Sequence, residues 1–433
     1  MNTATIRDQF PICQTKIGLD KKPLIYLDHA ASTHAPKPVL NAYLKVMEQS
    51  YANVHRGKHE LSCLSTDMFE EVPTKVARFV GINNLQNSGK QVVLTTNTTS
   101  SLDLASHIFE DQEGKVLTTF MEHHSNDLPH RRRGEVDHVE VLPNGILDMD
   151  QMEKLLSTQD YKLVAVSGGS NVTGYMPDIH KIARMAHDAG AKILVDGAQR
   201  LAHKKLDVKP LDHPEHIDFL AGAGHKTYAP FGSAFLLGTT EIMDATKPYI
   251  PAGGTVKFVG DDDAIFTTGA DRHQPGTPNI AGAIAMGTAL DFLGEIGLDW
   301  VRKHELELME PVLNRFTEME EISVLGDIPL DKKLGVIAFN IKGYHHEKLA
   351  ELLDHNAGIA VRNGCFCAHP YLFRLLGTRN EERDRLKEEL QKGNEPTLPG
   401  AVRASIGIYN TPEEMDKLVA EVDNLRQAAY IEQ

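Results

Sequence analysis

The chain has 433 residues, 41% of them apolar, with 45 Lys and Arg against 60 Asp and Glu, a net charge of −15. That length builds a large core and two domains, and that charge argues against a nucleic-acid or anionic-membrane partner. No apolar run approaches the roughly 20 residues that span a bilayer, the Met1 to Asp8 start lacks the basic-then-apolar pattern of a secretory signal, and the four cysteines (Cys13, Cys63, Cys365 and Cys367) are too few for a disulfide framework, so a reducing cytoplasm is expected.

Residues Gln91 to Thr95 read as a buried strand. Thr95 to Ser101 follow it and open a helical pattern; hydroxyls and free N–H groups at a helix start, Thr98 and Thr99 among them, suit a phosphate dianion. Lys115 to Thr119 is a second strand, followed by Glu122-His123-His124, where an imidazole could stack on a pyridine ring and move protons. Arg131-Arg132-Arg133 reads as a solvated basic loop. A third strand, Lys162 to Ser167, runs into a polar turn in which Asn171 could donate to a phenolate oxygen. Apolar positions 179, 182, 183 and 186 have helical spacing, with Gly190 as the C-terminal stop. Lys192 to Asp196 is a fourth strand, ending in a carboxylate that could keep a pyridine nitrogen protonated.

The apolar run from Phe219 ends in small residues and presents His225-Lys226 before Pro230 and Gly232. A lysine amine there is desolvated, hence nucleophilic, and suited to hold an aldehyde cofactor, pyridoxal phosphate, as a Schiff base. Ser233 to Leu237 is a further strand. A long helical pattern from about Ala281 to Gly297 leads into a helix, strand, helix, strand order with a charged insert at Arg379 to Lys392. Strand-helix alternation implies a mostly parallel sheet covered by helices, with ligands at the carboxyl ends of its strands. The expected organisation is a segment 1–25 packing on the small domain, a large cofactor domain 26–290 and a small α+β domain 291–433.

Taken singly, each motif has a plain alternative. Lys226 could be a surface lysine, Thr98 and Thr99 a hydroxyl-rich cap, His123 and His124 a surface pair, and Asp196 a turn former. Cys365 and Cys367 could be a buried pair or two metal ligands, although two further ligands at zinc spacing are lacking.

Together, in order, the segments resemble the type II cysteine desulfurase and selenocysteine lyase group of class V, fold-type I pyridoxal phosphate enzymes. The matching pieces are Tyr26 to Ser32, Tyr51 to Gly57, Glu122 to His124, Val195 to Gln199, Gly224 to Lys226, Gly276 to Asn279 and Arg403 to Ser405. The resemblance implies an α/β fold with a seven-stranded, mostly parallel sheet. It also implies a homodimer, an amino-acid substrate and a sulfur-acceptor protein. Lys226 would carry the cofactor, His123 stack on its ring, and Asp196 pair with the ring nitrogen. Gln199 and Asn171 would contact its O3′ side, and Thr98, Thr99 and His225 its phosphate. Thr277 would reach the partner subunit's cofactor, with His55 and Arg56 near that interface as substrate contacts. Arg403 would grip the substrate carboxylate, as a guanidinium does with two parallel hydrogen bonds.

In the resembling loop, Arg362 to Pro370, the position of the persulfide-forming cysteine is Cys367. Cys365 is an additional thiol; in an extended loop the two side chains would share one side, with Cα atoms roughly 6–7 Å apart. Ala223 stands where the family often has a phosphate-binding serine. The function implied is L-cysteine to L-alanine, with selenocysteine lysis, C–S lysis, epimerisation and amine transfer as alternatives, and a non-catalytic cofactor- or partner-binding protein as a third class.

Overall fold

Seven strands build the central sheet of the computed structural model, which describes residues 2–431. They are β1 (Lys90–Thr95), β2 (Lys115–Thr119), β3 (Val136–Val139), β4 (Tyr161–Ser167), β5 (Lys192–Asp196), β6 (Phe219–Ala223) and β7 (Ala234–Thr239). Their spatial order is β1-β7-β6-β5-β4-β2-β3. Neighbours run parallel except β7, which is antiparallel to both β1 and β6. The expected mostly parallel sheet is therefore present. Only β3 escaped the sequence reading: three half-buried edge residues, Asp137 and His138 among them, and the buried Val139 carry no apolar run.

Side chains alternate across this sheet with the period-two rule. Val92, Val164, Val166, Ile193, Val195, Leu220 and Phe235 face one core. Their neighbours Val93, Leu163, Ala165, Leu194, Phe219, Ala221 and Leu236 face the other. The first core is covered by α1 (Lys37–Gln49), α2 (Glu60–Phe79), α4 (Ile179–Asp188) and α5 (Ile280–Ile296), the second by α3 (Thr98–Ile108). The α4 helix ends as the spacing predicts, with Gly190 at φ +79° just beyond its last turn.

Arg131 to Arg133 are not a loop, although Arg131 and Arg132 are exposed as expected. They close a short helix, Leu128–Arg133, in which Arg131 pairs with Asp127 and Arg133 with Asp103 and Glu110. The partners of Arg133, Asp103 and Glu110, lie 30 and 23 residues away in the chain, beyond the reach of a local reading.

Gly297, at φ +85°, ends α5, and α6 (Leu298–Thr317) leaves at 73° to it. No single helix among the described residues is long and apolar enough to cross a membrane. A second, antiparallel sheet follows: β8 (Ile322–Val324), β9 (Val336–Ile341), β10 (Arg362–Gly364) and β11 (Ala401–Ser405), ordered β8-β9-β11-β10. The charged insert is a helix, Asn380–Gln391, that buries Leu386. The N-terminal segment touches both parts. Ile6 and Phe10 pack with Tyr228, Phe292 and Tyr409, Arg7 pairs with Glu414, and Ile25–Tyr26 runs parallel to Ile359–Ala360.

Candidate active site

A cavity of about 1200 Å³ opens at the carboxyl ends of β4, β5 and β6, with β11 and the loop after β10 on its other side. It gathers every site residue expected from the sequence except Thr277, His55 and Arg56. Pairing of Ser167 with Asp196 and of Asp196 with Ala221 brings these strand ends level, which sets the floor.

Lys226 stands in a single turn, Gly224–Lys226, directly after β6. The turn requires a residue without Cβ at its start: one on Gly224 would lie 2.5 Å from Ser233 Oγ and 2.8 Å from Ser233 O. Burial pushes the Lys226 ammonium down; Asp196 opposes that shift and Arg403 adds to it. Asp196 is 6% exposed, and its Oδ1 accepts the Ala198 N–H at 3.0 Å. Burial pushes this carboxyl up, with Lys226 opposing.

His123 accepts the Ser125 N–H on Nδ1 at 3.1 Å, so its hydrogen sits on Nε2. Burial and the nearby Lys226 push it to about 3, which keeps the ring neutral. Behind it Glu122 is buried, accepting from the Thr119 hydroxyl and the Asn126 amide, each at 2.7 Å. Burial lifts this carboxyl to about 7.

At the start of α3, Asn97 caps the helix by accepting the Ser100 N–H at 2.9 Å. The Thr98 hydroxyl is buried with no hydrogen-bond partner among the described residues. The Thr99 hydroxyl pairs with Ser125 Oγ at 2.8 Å. Burial and Lys226 hold His225 at about 4. An unpartnered hydroxyl among the free N–H groups of a helix start is a setting that fits a phosphate group. Gln199 Nε2 donates to Ala30 O at 2.7 Å and Asn171 Nδ2 to Phe366 O at 2.6 Å, leaving each amide a second N–H.

Arg403 lies on β11, 3% exposed. It donates to Asn171 O at 2.9 Å and to Asp28 Oδ1 at 3.1 Å, and its guanidinium sits 4.9 Å over the Phe366 ring. Asp28 Oδ2 pairs with Arg362 at 3.1 Å. Burial pushes Arg403 down, and Asp28 counters it.

The cysteine loop differs from expectation. It is not extended: Phe366 and Cys367 are left-handed, at φ +54° and +55°. Ala368 N–H donates to Cys365 O at 3.0 Å and His124 N–H to Cys367 O at 2.8 Å. The tight turn leaves Cys365 half-buried against the core and Cys367 exposed. Burial raises the Cys365 thiol. Successive left-handed non-glycine residues leave no local sequence signal, which is why an extended loop was expected.

Thr277 is exposed on a separate cavity that it shares with Thr95, Thr96 and Gly232. His55 and Arg56 are exposed before α2, with His55 Nδ1 3.8 Å from Glu70. The sequence reading gave no role to Asp28, Glu122, Asn97, Ser125 or Phe366. Asp28 and Glu122 lie inside the segments that carry the family resemblance; Ser125 and Phe366 become visible only through contacts distant in the chain.

The sequence profile of the aminotransferase class-V family matches residues 25–418. A probable cysteine desulfurase of Vibrio cholerae is 34% identical, covering 98% of each chain. A cysteine desulfurase of Haloferax volcanii is 33% identical, covering 98% of this chain and 96% of its own. Among solved structures, the apo cysteine desulfurase of Thermococcus onnurineus superposes with a TM-score of 0.83 at 31% identity, covering 98% of both chains. The cysteine desulfurase CsdA of Escherichia coli gives 0.82 at 28% identity, covering 99% of both.

Proposed function

This chain belongs to the aminotransferase class-V family, and we propose that it is a pyridoxal phosphate enzyme that converts L-cysteine to L-alanine, leaving the sulfur as a persulfide on Cys367. The observation that carries this reading is the exposed Cys367 thiol on the same cavity as the buried Lys226 amine. Relatives bearing the cysteine desulfurase name along nearly the full length support it.

Lys226 would hold the cofactor, Asp196 its ring nitrogen, His123 its ring face, and Gln199 and Asn171 its O3′ side. Thr98, Thr99 and His225 would hold the phosphate, with Ser125 supplying a hydroxyl that Ala223 lacks. Bound there, pyridoxal phosphate supplies an electron sink for the substrate Cα. Arg403 orients the substrate carboxylate. The Lys226 amine, its charged form disfavoured by burial, takes and returns the proton at Cα. The Cys367 thiolate attacks the substrate Sγ as the Cβ–S bond breaks. The sulfur stays on Cys367, Cβ takes a proton, and a thiol or sulfur-acceptor protein later removes the outer sulfur.

The chain would act as a cytoplasmic homodimer. Phe231, Ile250, Phe258, Val259 and Ile265 are exposed apolar residues, and Ile250 lines the Thr277 cavity. A second copy covering them would carry Thr277, His55 and Arg56 toward its neighbour's cavity. The domain limits 26–290 and 291–433 and the packing role of 1–25 are part of the same reading.

The test is a product assay on the cofactor-loaded enzyme with L-cysteine. Alanine plus protein-bound sulfur is expected. Pyruvate plus ammonia would replace this reading with C–S elimination. Borohydride reduction and peptide mapping should tag Lys226, and a tag on another lysine overturns the cofactor assignment.

A further inference from the structure

Far from this cavity, at the opposite end of β6, His187, His216 and Asp218 bring three metal-ligating atoms within 4.8 Å of one another. Asp218 directly precedes β6 and is fully buried. Its Oδ2 lies 2.8 Å from His187 Nε2 and accepts the Ile193 N–H at 3.0 Å; its Oδ1 lies 3.2 Å from His216 Nε2. His187 closes the last turn of α4, and His216 sits in the 211–218 loop. The two rings stack with centroids 4.1 Å apart.

Both imidazoles are aimed from behind. His187 Nδ1 is 2.9 Å from Pro214 O, and His216 Nδ1 is 2.7 Å from His213 O. A carbonyl only accepts, so each Nδ1 carries the hydrogen and each Nε2 is the nitrogen turned toward Asp218. A ring N–H tied to a main-chain carbonyl is the outer contact that fixes tautomer and orientation in metal-binding histidines. The carboxylate is fixed in turn by Ile193. Lys192 Nζ, 3.5 Å from Oδ1, belongs to a side chain 42% exposed and can leave for solvent.

The geometry points to a site for a zinc-type divalent cation held by His187 Nε2, His216 Nε2 and an Asp218 oxygen, with water as the fourth ligand. Two imidazoles and one carboxylate suit zinc and its transition-metal neighbours rather than magnesium or calcium. A tetrahedral ion at roughly 2.0–2.1 Å from each ligand sets them about 3.3 Å apart, so the two ring–carboxylate contacts open slightly from 2.8 and 3.2 Å to admit it. The ion sits between the two rings and the carboxylate. It clips the end of α4 to the loop that leads into β6, a structural role separate from turnover.

The experiment is equilibrium dialysis of chelator-treated, cofactor-loaded enzyme against micromolar zinc chloride, with metal counted by mass spectrometry. Cys367→Ser serves as the background, because an exposed cysteine thiol is itself a zinc-ligating group. One zinc per chain is expected on that background, with a rise of several degrees in melting temperature. His187→Ala and His216→Gln should each lose both effects, keep the circular dichroism spectrum, and, placed in the otherwise unaltered enzyme, keep turnover. Zinc retained in both histidine variants, or absent from the Cys367→Ser protein, overturns the site.

Discussion

Replacing Arg403 with lysine tests the substrate-binding reading most sharply. The guanidinium is held by Asn171 O, Asp28 Oδ1 and the Phe366 ring, which points a fixed fork at the cavity. A substrate carboxylate meeting that fork makes two charge-assisted hydrogen bonds, each contributing about 1.5–3 kcal/mol. The lysine ammonium keeps the charge and one such bond, so the loss is about 1.5–3 kcal/mol. At 1.36 kcal/mol per decade, kcat/KM for L-cysteine should fall roughly 10- to 150-fold. Carboxylate binding is shared by ground and transition states, so most of the loss should appear in KM. Steady-state alanine formation measures both constants, and cofactor absorbance checks that the site is otherwise intact. A kcat/KM within about three-fold of wild type, or a loss confined to kcat, would refute the assignment.

Three other outcomes are expected. Cys367→Ser should abolish alanine formation, while Cys365→Ser, altering a half-buried thiol, should retain most of it; mass spectrometry after one turnover should find the added sulfur on Cys367. Glu122, lifted from 4.5 to about 7 by burial, binds a proton more readily folded than unfolded, so its contribution to stability is present below pH 4.5 and falls as pH rises toward 7. Glu122→Gln should flatten that decline by up to about 3 kcal/mol, read as the difference between wild-type and variant denaturant curves across this window; parallel curves would show that the carboxyl is ionised throughout. Mixed dimers of a Lys226→Ala chain with a His55→Ala, Thr277→Ala chain should recover one working site per dimer, and no recovery would mean that these residues act within their own chain or not at all.

The large sheet was legible because its strands are buried on both faces and read as apolar runs. Lys226, Asp196, Asn171 and His123 were legible because each directly follows such a run, where ligands of parallel sheets gather. What stayed hidden depends on contacts distant in sequence. Arg133 looked solvated because its carboxylate partners, Asp103 and Glu110, are distant in the chain and cannot be assigned from spacing. Asp28 lies 375 residues from the Arg403 that it orients. The turn at Phe366 and Cys367 was illegible for a different reason: neither residue favours the left-handed region, so only the surrounding bonds impose it.

That turn behaves as a cocked lever. Two non-glycine residues held at positive φ store about 1–2 kcal/mol each. Three hydrogen bonds hold them, from Asn171 Nδ2 to Phe366 O, from His124 N–H to Cys367 O and from Ala368 N–H to Cys365 O. At about 1 kcal/mol net apiece, the latches and the spring nearly balance. Asn171 is the trigger: its amide holds the lever and its carbonyl holds Arg403. Displacing this one residue would free the Phe366 carbonyl and the Arg403 guanidinium together, so the turn that carries Cys367 and the guanidinium on the cavity wall share one support.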